Sequence, residues 1–312
     1  MDEQPLQESL RAGELRAQAI ALTQAGLKVV PLYGLVAGRC ACRKKWVCPA
    51  PGKHPLSKRW QENTLDSPEQ AGHFRWREDR NLGILCGKAG GVIALDIDRH
   101  RPQEDGFQSI AELEARYGPL PVSPRQRSGG GGMHLLFRYP EHAELIAPKT
   151  LAPGVEVLAD NHQLVVAPST HPSGRAYQWE PDAAPWEIEL PELPHWLLLR
   201  MVKVAQPARG GWRSGPFDMA SFIEQYKLDV RGPHPWHATG GEIWEFRRCP
   251  FAERHTTGPG GAYIGVHGSG APVAGCLHSH CVGKWNFKTL RELLRSMSSI
   301  VKSPSAGETV EK

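Results

Sequence analysis

Short apolar runs separated by glycine and proline dominate the first two thirds of the chain. The run KVVPLYG begins at Lys28 and is typical of a strand, because β-branched and aromatic residues follow one another without a helical period. Further apolar or alternating runs predict strands at residues 82–86, 91–97, 135–137, 154–158 and 163–167. The region is therefore expected to be rich in sheet.

Helical periodicity occurs in fewer places. Residues 8–25 carry Leu10, Leu15, Ile20 and Leu22 in an irregular apolar stripe, and Gly26 is a natural stop. Other helices are predicted near Pro68–Arg77, over Ser109–Tyr117, within 185–202, and after residue 283, where Phe287, Leu290, Leu293 and Leu294 share one side. Strands and helices together predict an α/β (α+β) fold with a mixed or antiparallel sheet.

The strand ALDID carries two acids at its end. Alternation with period two puts Asp96 and Asp98 on the same face. Two carboxylates aimed at one point repel each other unless a cation lies between them, and Mg²⁺ or Mn²⁺ takes such ligands. Enzymes with two-metal sites use ions bound by carboxylates to hold the attacking and leaving oxygens of a phosphoryl transfer. A strand end with two solvated acids is the alternative.

Two further segments add polar chemistry. A run of four glycines precedes an apolar strand that contains His134; the glycines are Gly129, Gly130, Gly131 and Gly132. Without side chains, the backbone amides of this run can approach a phosphate closely. His134 could instead be a core histidine between Met133 and Leu135. Glu156, between Val155 and Val157, could complete a three-acid metal cage, although alone it would be an ordinary exposed acid.

Six of the seven cysteines fall in two clusters, and Cys86 stands alone. The first cluster offers three thiolates and an imidazole within 15 residues, namely Cys40, Cys42, Cys48 and His54. This set matches a closed tetrahedral zinc site, with a reduced, metal-free loop as the alternative. Trp46 and four basic residues lie in the same segment, namely Arg43, Lys44, Lys45 and Lys53. The loop is therefore a plausible contact for phosphate groups or single-stranded nucleic acid.

The second cluster resembles a zinc ribbon, in which two knuckles share one ion. Five candidates compete for four places, and we favour Cys249, His255, Cys276 and Cys281, with His278 as the substitute and His280 exposed. Because we expect a cytoplasmic protein, metal binding is favoured over disulfides. One or two structural zinc ions are therefore predicted.

Composition is compatible with two domains and with a nucleic-acid partner. The chain has 312 residues, 40% of them hydrophobic and 22% charged, and a net charge of +4. No run of 18 apolar residues is present, and the N-terminal segment is polar and acidic. We therefore expect neither a membrane span nor a signal peptide.

Five segments in order carry a family resemblance: NLGILCG (81–87), ALDID (94–98), SGGGGMH (128–134), GVEV (154–157) and VVAPSTHPSGRAYQW (165–179). Together they resemble the bifunctional primase/polymerase domain of plasmids and phages, a branch of the archaeo-eukaryotic primase superfamily, over roughly residues 17 to 200. By this resemblance Asp96 and Asp98 match the first acidic motif, Glu156 fills the third, and His134 contacts the nucleotide. The position two before His134, often Ser in the wider superfamily, is Gly132.

The resemblance implies nucleotidyl transfer on single-stranded DNA, with rNTPs or dNTPs, two Mg²⁺ or Mn²⁺ ions and a separate replicative helicase, in replication of a mobile element or phage. Ser128 belongs with the glycine run as a nucleotide-binding residue, and further phosphate contacts are expected from Arg125, Arg127 and Arg175. His171 is a nucleotide-binding candidate that could equally stabilise its turn. A non-catalytic replication-initiation or DNA-binding protein would predict the loss of an acid, and a metal-dependent nuclease would not explain the glycine turn.

These landmarks divide the chain into four parts. Residues 1–202 are expected to form the catalytic domain, with the cysteine loop at 40–54. A linker and connecting segment at 203–234 leads to a zinc-binding module at 235–297, and a disordered tail at 298–312 is expected to follow. The chain contains no G-x4-G-K-[ST] phosphate loop, so no helicase motor is predicted within it.

Overall fold

The structure is a computed structural model. It describes residues 3–99, 104–140, 150–201, 216–237, 239–251, 261–278, 281 and 285–300. The described chain divides into two compact units, the first formed by residues up to 140 and 150–194, the second by residues from His195 onwards. In the described part, no helix is long and apolar enough to cross a bilayer.

The helices are α1 (Glu3–Gln24), α2 (Pro68–His73), α3 (Gly106–Tyr117), α4 (His195–Met201), α5 (Met219–Gln225) and α6 (Phe287–Ile300). The strands of the first unit are β1 (Val29–Tyr33), β2 (Leu35–Val36), β3 (Arg39–Cys40), β4 (Arg80–Leu85), β5 (Val92–Ile97), β6 (Arg125–Arg127), β7 (Met133–Arg138), β8 (Thr150–Ala152), β9 (Val155–Leu158), β10 (Gln163–Val166) and β11 (Gln178–Trp179). Those of the second unit are β12 (Val230–Trp236), β13 (Gly241–Phe246), β14 (Ala262–Val266) and β15 (Pro272–Cys276).

Two larger sheets make up the first unit. One has three strands in the order β1-β4-β10, and the other has six in the order β11-β6-β7-β5-β9-β8. A two-stranded hairpin, β2-β3, carries part of the cysteine loop. All pairings between these strands are antiparallel. The expected α+β class with antiparallel sheets is therefore confirmed.

The main core of the first unit lies where helix α1 meets both sheets. Leu15, Ala19 and Leu22 are completely buried, and their spacing of four and three residues places them on one helical face. They share one apolar cluster with strand residues such as Leu82 and Leu136. The predicted stripe was wrong at its start, because Leu10 is 67% exposed.

Helix α3 fixes the end of the acidic strand β5. Asp105 caps the helix by accepting from the backbone N–H groups of its first turn. The backbone of Asp98 is then held from both sides, since its N–H donates to Gly154 (2.8 Å) and its carbonyl accepts from Gly106 (2.9 Å). A Cβ on Gly106 would stand 2.2 Å from the carbonyl oxygen of Gly154, so the approach requires glycine.

The second unit is a four-stranded antiparallel sheet, β12-β13-β14-β15, packed with α5 and α6. Phe287, Leu290 and Leu294 are buried from α6, as its periodicity predicts, and Leu293 is half-buried. Strands β12 and β13 and helix α5 had no counterpart among the predicted elements. Met219 and Phe222 of α5 belong to this core. Residues 216–234 were expected to be part of a linker and connecting segment, but they belong to the second unit. The Gly- and Arg-rich part at 203–215 lies outside the described residues.

The boundary between the units also differs from the expected one. The helix predicted within 185–202 is confined to α4, and α4 groups with the second unit. Its Leu197 and Met201 are fully buried, and α4 packs on β12. At the other end, α6 continues to Ile300, so the expected tail does not begin at 298, and residues 301–312 lie outside the described part.

Candidate active site

A row of polar side chains crosses the six-stranded sheet at one level. Asp96 of β5 pairs in register with His134 of β7 on one side and with Glu156 of β9 on the other. His134 in turn pairs with Gln126 of β6. Directly opposed residues in antiparallel strands point to the same face, so the four side chains leave the sheet on one side.

A cavity lies above this row. It encloses about 500 Å³ when the open solvent at its mouth is included. Its walls come from both sheets and from the cysteine loop: Lys53, Asp96, Asp98, Ser128, His134, Leu158, Gln163, Leu164, Val165, His171 and Tyr177. The two acids, the histidine and the serine of the glycine turn, which are far apart in sequence, thus face one space.

The acids differ in exposure. Asp96 and Asp98 are half-buried on the cavity wall, whereas Glu156 is exposed. Within the described residues, only the two cysteine clusters bring three or more ligand atoms within 4.8 Å of one another. Glu156 is therefore associated with the aspartates by its position opposite Asp96 in the neighbouring strand. The side-chain oxygens of the three acids do not form a tight cluster among the described residues.

His134 is 5% exposed and lines the cavity. Its Nε2 lies 3.2 Å from Oδ1 of Asp96, and its ring centroid is 5.8 Å from that of Tyr177. A histidine that only filled the core would be surrounded by apolar groups. This one contacts a carboxylate at the cavity wall, an environment that favours a role in binding.

The glycine turn is shaped around Asp98. The N–H of Ser128 donates to the Gly132 carbonyl (2.9 Å), and the Gly132 N–H donates to Oγ of Ser128 (3.0 Å). A Cβ on Gly132 would stand 2.3 Å from Oδ1 of Asp98 and 2.6 Å from the carbonyl oxygen of Ile97. A serine at 132 would therefore force Asp98 or the backbone of β5 to shift. The Ser128 hydroxyl, 3.2 Å from the same Cβ position, supplies a hydroxyl to the cavity instead.

Tyr177 was not singled out from the sequence. Burial, followed by the charges of Asp96 and Asp98, raises the pKa of its phenol above the ordinary value. The phenol therefore stays neutral and can donate a hydrogen bond beside the acids. Its RAYQW segment is part of the family resemblance, but no local pattern in the sequence indicated which cavity the tyrosine would face.

Lys53 is the one cation that lines the cavity among the described residues. Its loop is held against the three-stranded sheet: Asn81 donates to the Gly52 carbonyl (2.8 Å) and Gln163 donates to the Lys53 carbonyl (2.7 Å). From the sequence, Lys53 was one of several basic residues around the cysteines. Only folding brings this one beside Asp96 and Asp98.

The remaining predicted phosphate contacts are placed differently. His171 lines the cavity, and its Nδ1 accepts from the Ser173 N–H (3.1 Å), so it contributes to the turn as well. Arg125, Arg127 and Arg175 are not cavity-lining residues. Arg127 is 69% exposed and paired with Glu180.

The four predicted ligands of the cysteine loop converge. The ligand atoms of Cys40, Cys42, Cys48 and His54 all lie within 4.8 Å of one another, and Cys40 Sγ is 3.3 Å from His54 Nε2. Three sulfurs and an imidazole at this spacing fit the donor set of tetrahedral zinc. Burial alone would raise the pKa of Cys42, but hydrogen bonds from the Lys44 backbone and from the neighbouring ligands lower it to about 6. The pKa of Cys48 in the same cluster is raised instead to about 11, by burial first and then by its contacts with the thiols of Cys40 and Cys42.

Three cysteines also meet in the second unit. Cys249, Cys276 and Cys281 are buried with their sulfurs within 4.8 Å, and Cys249 lies 3.7 Å from Cys276. His278, the substitute ligand, is 4% exposed and places Nδ1 3.1 Å from Cys276 Sγ. The favoured His255 lies outside the described residues, as does His280.

Comparison with curated proteins gives no match. A family model does match, under the description "Bifunctional DNA primase/polymerase, N-terminal". The match covers residues 19–196, which is more than half of the chain and contains the whole polar row and cavity. The protein therefore belongs to the Prim-Pol family of bifunctional DNA primase/polymerases.

Proposed function

We propose that this protein synthesises a nucleic-acid strand on a single-stranded DNA template, as a DNA primase, a DNA polymerase or both. One observation carries the proposal: Asp96, Asp98, Ser128 and His134 line a single cavity within the domain that matches the family. The acids suit metal ions, and the turn and histidine suit a triphosphate. Nucleotidyl transfer requires both.

Asp96, Asp98 and Glu156 are the proposed ligands of two Mg²⁺ or Mn²⁺ ions, since such ions prefer carboxylate oxygens. When bound, these ions would activate the attacking 3′-hydroxyl and stabilise the leaving pyrophosphate. The half-buried aspartates would hold the ions at the cavity wall. Glu156, exposed and in register with Asp96, would approach from the solvent side.

The chain's own groups would hold the triphosphate. The Ser128 hydroxyl, the backbone N–H groups of Gly129 and Gly130, His134 and Lys53 would donate to its oxygens. The N–H groups of Gly131 and Gly132 already donate to Ser128 within the turn and shape it. Neutral Tyr177 would add a donor beside the acids. His171 is proposed to contact the nucleotide from the opposite turn, with Arg125, Arg127 and Arg175 contacting phosphates nearer the surface.

The tip of the cysteine loop is proposed to contact the template. Trp46 is 69% exposed, and the Arg39 guanidinium stacks 3.7 Å from its ring centroid. Lys45 and Trp46 lie in a short 3₁₀ segment, Lys45–Val47, and Lys44 immediately precedes it. An exposed aromatic ring among cations is suited to stacking a base while the cations contact phosphates. Zinc would hold this loop closed, and a second zinc site, completed by His255 or His278, would stabilise the second unit.

The test is incorporation of labelled rNTPs or dNTPs on single-stranded DNA, with and without a primer, in Mg²⁺ or Mn²⁺. Asp96→Asn and Asp98→Asn keep side-chain size and should each lower incorporation by roughly 100-fold or more, because each removes a metal ligand. Glu189→Gln is the matched control, since this acid is 96% exposed and should leave the rate unchanged. Incorporation at the wild-type rate in both aspartate variants would contradict the proposal.

The same reactions separate the alternative functions. If the label is placed on the template instead, a nuclease would shorten that template in a reaction that requires Asp96, without extending any primer. A non-catalytic DNA-binding protein would bind the template and do neither. Replication of a plasmid or phage, together with a separate helicase, is the proposed context, and stimulation of primer synthesis by an added replicative helicase would test it.

A further inference from the structure

We propose that Gln126 is a positioning residue that holds His134 in the tautomer with its hydrogen on Nε2, so that the imidazole acts as a hydrogen-bond donor in the cavity. The donor role towards a nucleotide rests on the proposed function. The tautomer itself does not, because it follows from the hydrogen bonds of the protein.

Gln126 is completely buried, although its neighbours in β6 are the more exposed Arg125 and Arg127. Its side chain reaches from the six-stranded sheet to the end of β10. There Oε1 accepts from the Ala167 N–H (2.9 Å), and Nε2 donates to the Val165 carbonyl (2.7 Å). The amide therefore ties the two sheets together beside the cavity.

These two backbone bonds determine which end of the amide is nitrogen. A reversed amide would set its NH₂ group against the Ala167 N–H and its oxygen against the Val165 carbonyl. Both contacts would be repulsive, and because Gln126 is completely buried, bulk solvent would not offset them. The backbone thus resolves the orientation that the side-chain shape alone leaves ambiguous.

With one hydrogen of the Gln126 NH₂ group bonded to Val165, the geometry of the amide fixes where the other hydrogen points. It points at Nδ1 of His134, 2.8 Å away, so Nδ1 must accept. The ring hydrogen consequently lies on Nε2, which is 3.2 Å from Oδ1 of Asp96. In the other tautomer two hydrogens would face each other at Nδ1, and a lone pair would face the carboxylate.

This arrangement distinguishes three roles for His134. The Nδ1 lone pair is used by Gln126, and Nε2 carries a hydrogen, so neither nitrogen is presented to a metal ion or to a proton that must be removed. The Nε2–H group faces the Asp96 carboxylate in the free protein, and it would donate to a phosphate oxygen when a triphosphate enters. A donor aimed at a phosphate is how a neutral histidine stabilises the charge of a triphosphate.

The first test is the tautomer in solution without nucleotide. Long-range ¹⁵N–¹H correlation of histidine-labelled protein separates hydrogen-bearing ring nitrogens from accepting ones, and a His134→Gln variant identifies the signal among the 14 histidines. We expect the hydrogen on Nε2. A hydrogen on Nδ1 in the wild-type protein would overturn the proposal, whether or not the protein proves to be a polymerase.

The second test changes Gln126. Gln126→Met keeps the length and removes the amide that contacts His134 Nδ1, the Val165 carbonyl and the Ala167 N–H. Because His134 loses the donor at Nδ1, we expect mixed tautomers and a kcat/KM for nucleotide lowered about 10- to 100-fold. Gln126→Glu places an acceptor at Nδ1 and should move the hydrogen to that nitrogen. Ser169→Ala is the matched control, because this completely buried hydroxyl accepts from the Leu82 N–H (2.8 Å) and donates to the Leu82 carbonyl (3.0 Å), and does not line the cavity.

The control should lose stability without changing the His134 signal, and its nucleotide kcat/KM should stay within about threefold of wild type. Gln126→Met with an unchanged tautomer and unchanged kcat/KM would refute a positioning role. If Gln126→Met does not fold, the wild-type spectrum and Gln126→Glu decide the question. If the wild-type protein incorporates no nucleotide, the proposed function fails while the tautomer result stands.

Discussion

Replacing Gly132 by alanine should damage both stability and activity, whereas the same change two residues earlier should not. A Cβ at 132 would stand 2.3 Å from Oδ1 of Asp98 and 2.6 Å from the Ile97 carbonyl oxygen. A Cβ at Gly130 would meet nothing closer than Cε1 of His171, at 3.4 Å. Both glycines have backbone conformations outside the positive-φ region, so the comparison isolates the steric contact.

The magnitude follows from these distances. Gly→Ala at a compatible position stabilises a protein by about 0.4–1 kcal/mol through the unfolded chain, and this gain applies equally at both positions. Overpacking at 132 opposes it by about 1–3 kcal/mol, because the Ile97 oxygen belongs to the backbone of β5 and cannot rotate away. The two variants should therefore differ in Tm by roughly 2–10 °C in a domain of this size.

Activity should separate them further. The carboxylate of Asp98 must move to admit the methyl group, and a displacement of about 1 Å in a catalytic group costs about 100-fold in rate. We expect Gly132→Ala to extend a primer about 100-fold more slowly than Gly130→Ala, measured with thermal melting on the same preparations. Equal melting temperatures and equal extension rates would show that the turn does not press on Asp98 and would refute the reasoning.

Three further outcomes are expected. Elemental analysis should find about two zinc ions per chain; Cys42→Ser should lose one, whereas Cys86→Ser, a buried cysteine outside both clusters, should lose none. The pKa of Tyr177 is raised in the folded protein, so above about pH 10 the folded protein keeps a phenolic proton that the unfolded chain releases. The free energy of unfolding should therefore fall as pH rises above about 10. Denaturant unfolding of Tyr177→Phe should show a smaller fall over the same pH range. A fragment of residues 1–194 should stay folded and extend primers, because it ends at the boundary of the first unit. A fragment of residues 1–205 should aggregate more readily in light scattering, because it adds the apolar Leu197 and Met201 of α4 but lacks strand β12, on which α4 packs.

The local features of this protein could be read from the sequence. Period-two alternation placed Asp96 and Asp98 on one face, and both line one cavity. Cysteine spacing grouped Cys40, Cys42 and Cys48 with His54, and the structure brings their ligand atoms together. Long apolar runs predicted strands whose centres agree with the structure, because buried strands have a strong local composition. The roles assigned to these residues remain predictions.

Short and polar elements could not be recognised in this way. Strand β6, Arg-Gln-Arg, has no apolar residue, and its central Gln126 is buried only because β10 and His134 surround its amide. Helix α3 begins three residues before the predicted start, since Asp105 was not identified as its cap. The connecting segment was drawn too long because α5 and β12 are short elements that are stabilised mainly by packing in the second unit.

The sequence by itself determined what depends on neighbouring residues: the periodicity of strands, the facing of the two aspartates, and the grouping of cysteine ligands. Tertiary structure alone decided which strands lie side by side, and thereby set Gln126, His134, Asp96 and Glu156 at one level. It also brought Lys53 and Tyr177 to the acids from distant segments. The reason is physical: backbone geometry fixes side-chain alternation within a strand, whereas register and sheet packing depend on burial of the whole core.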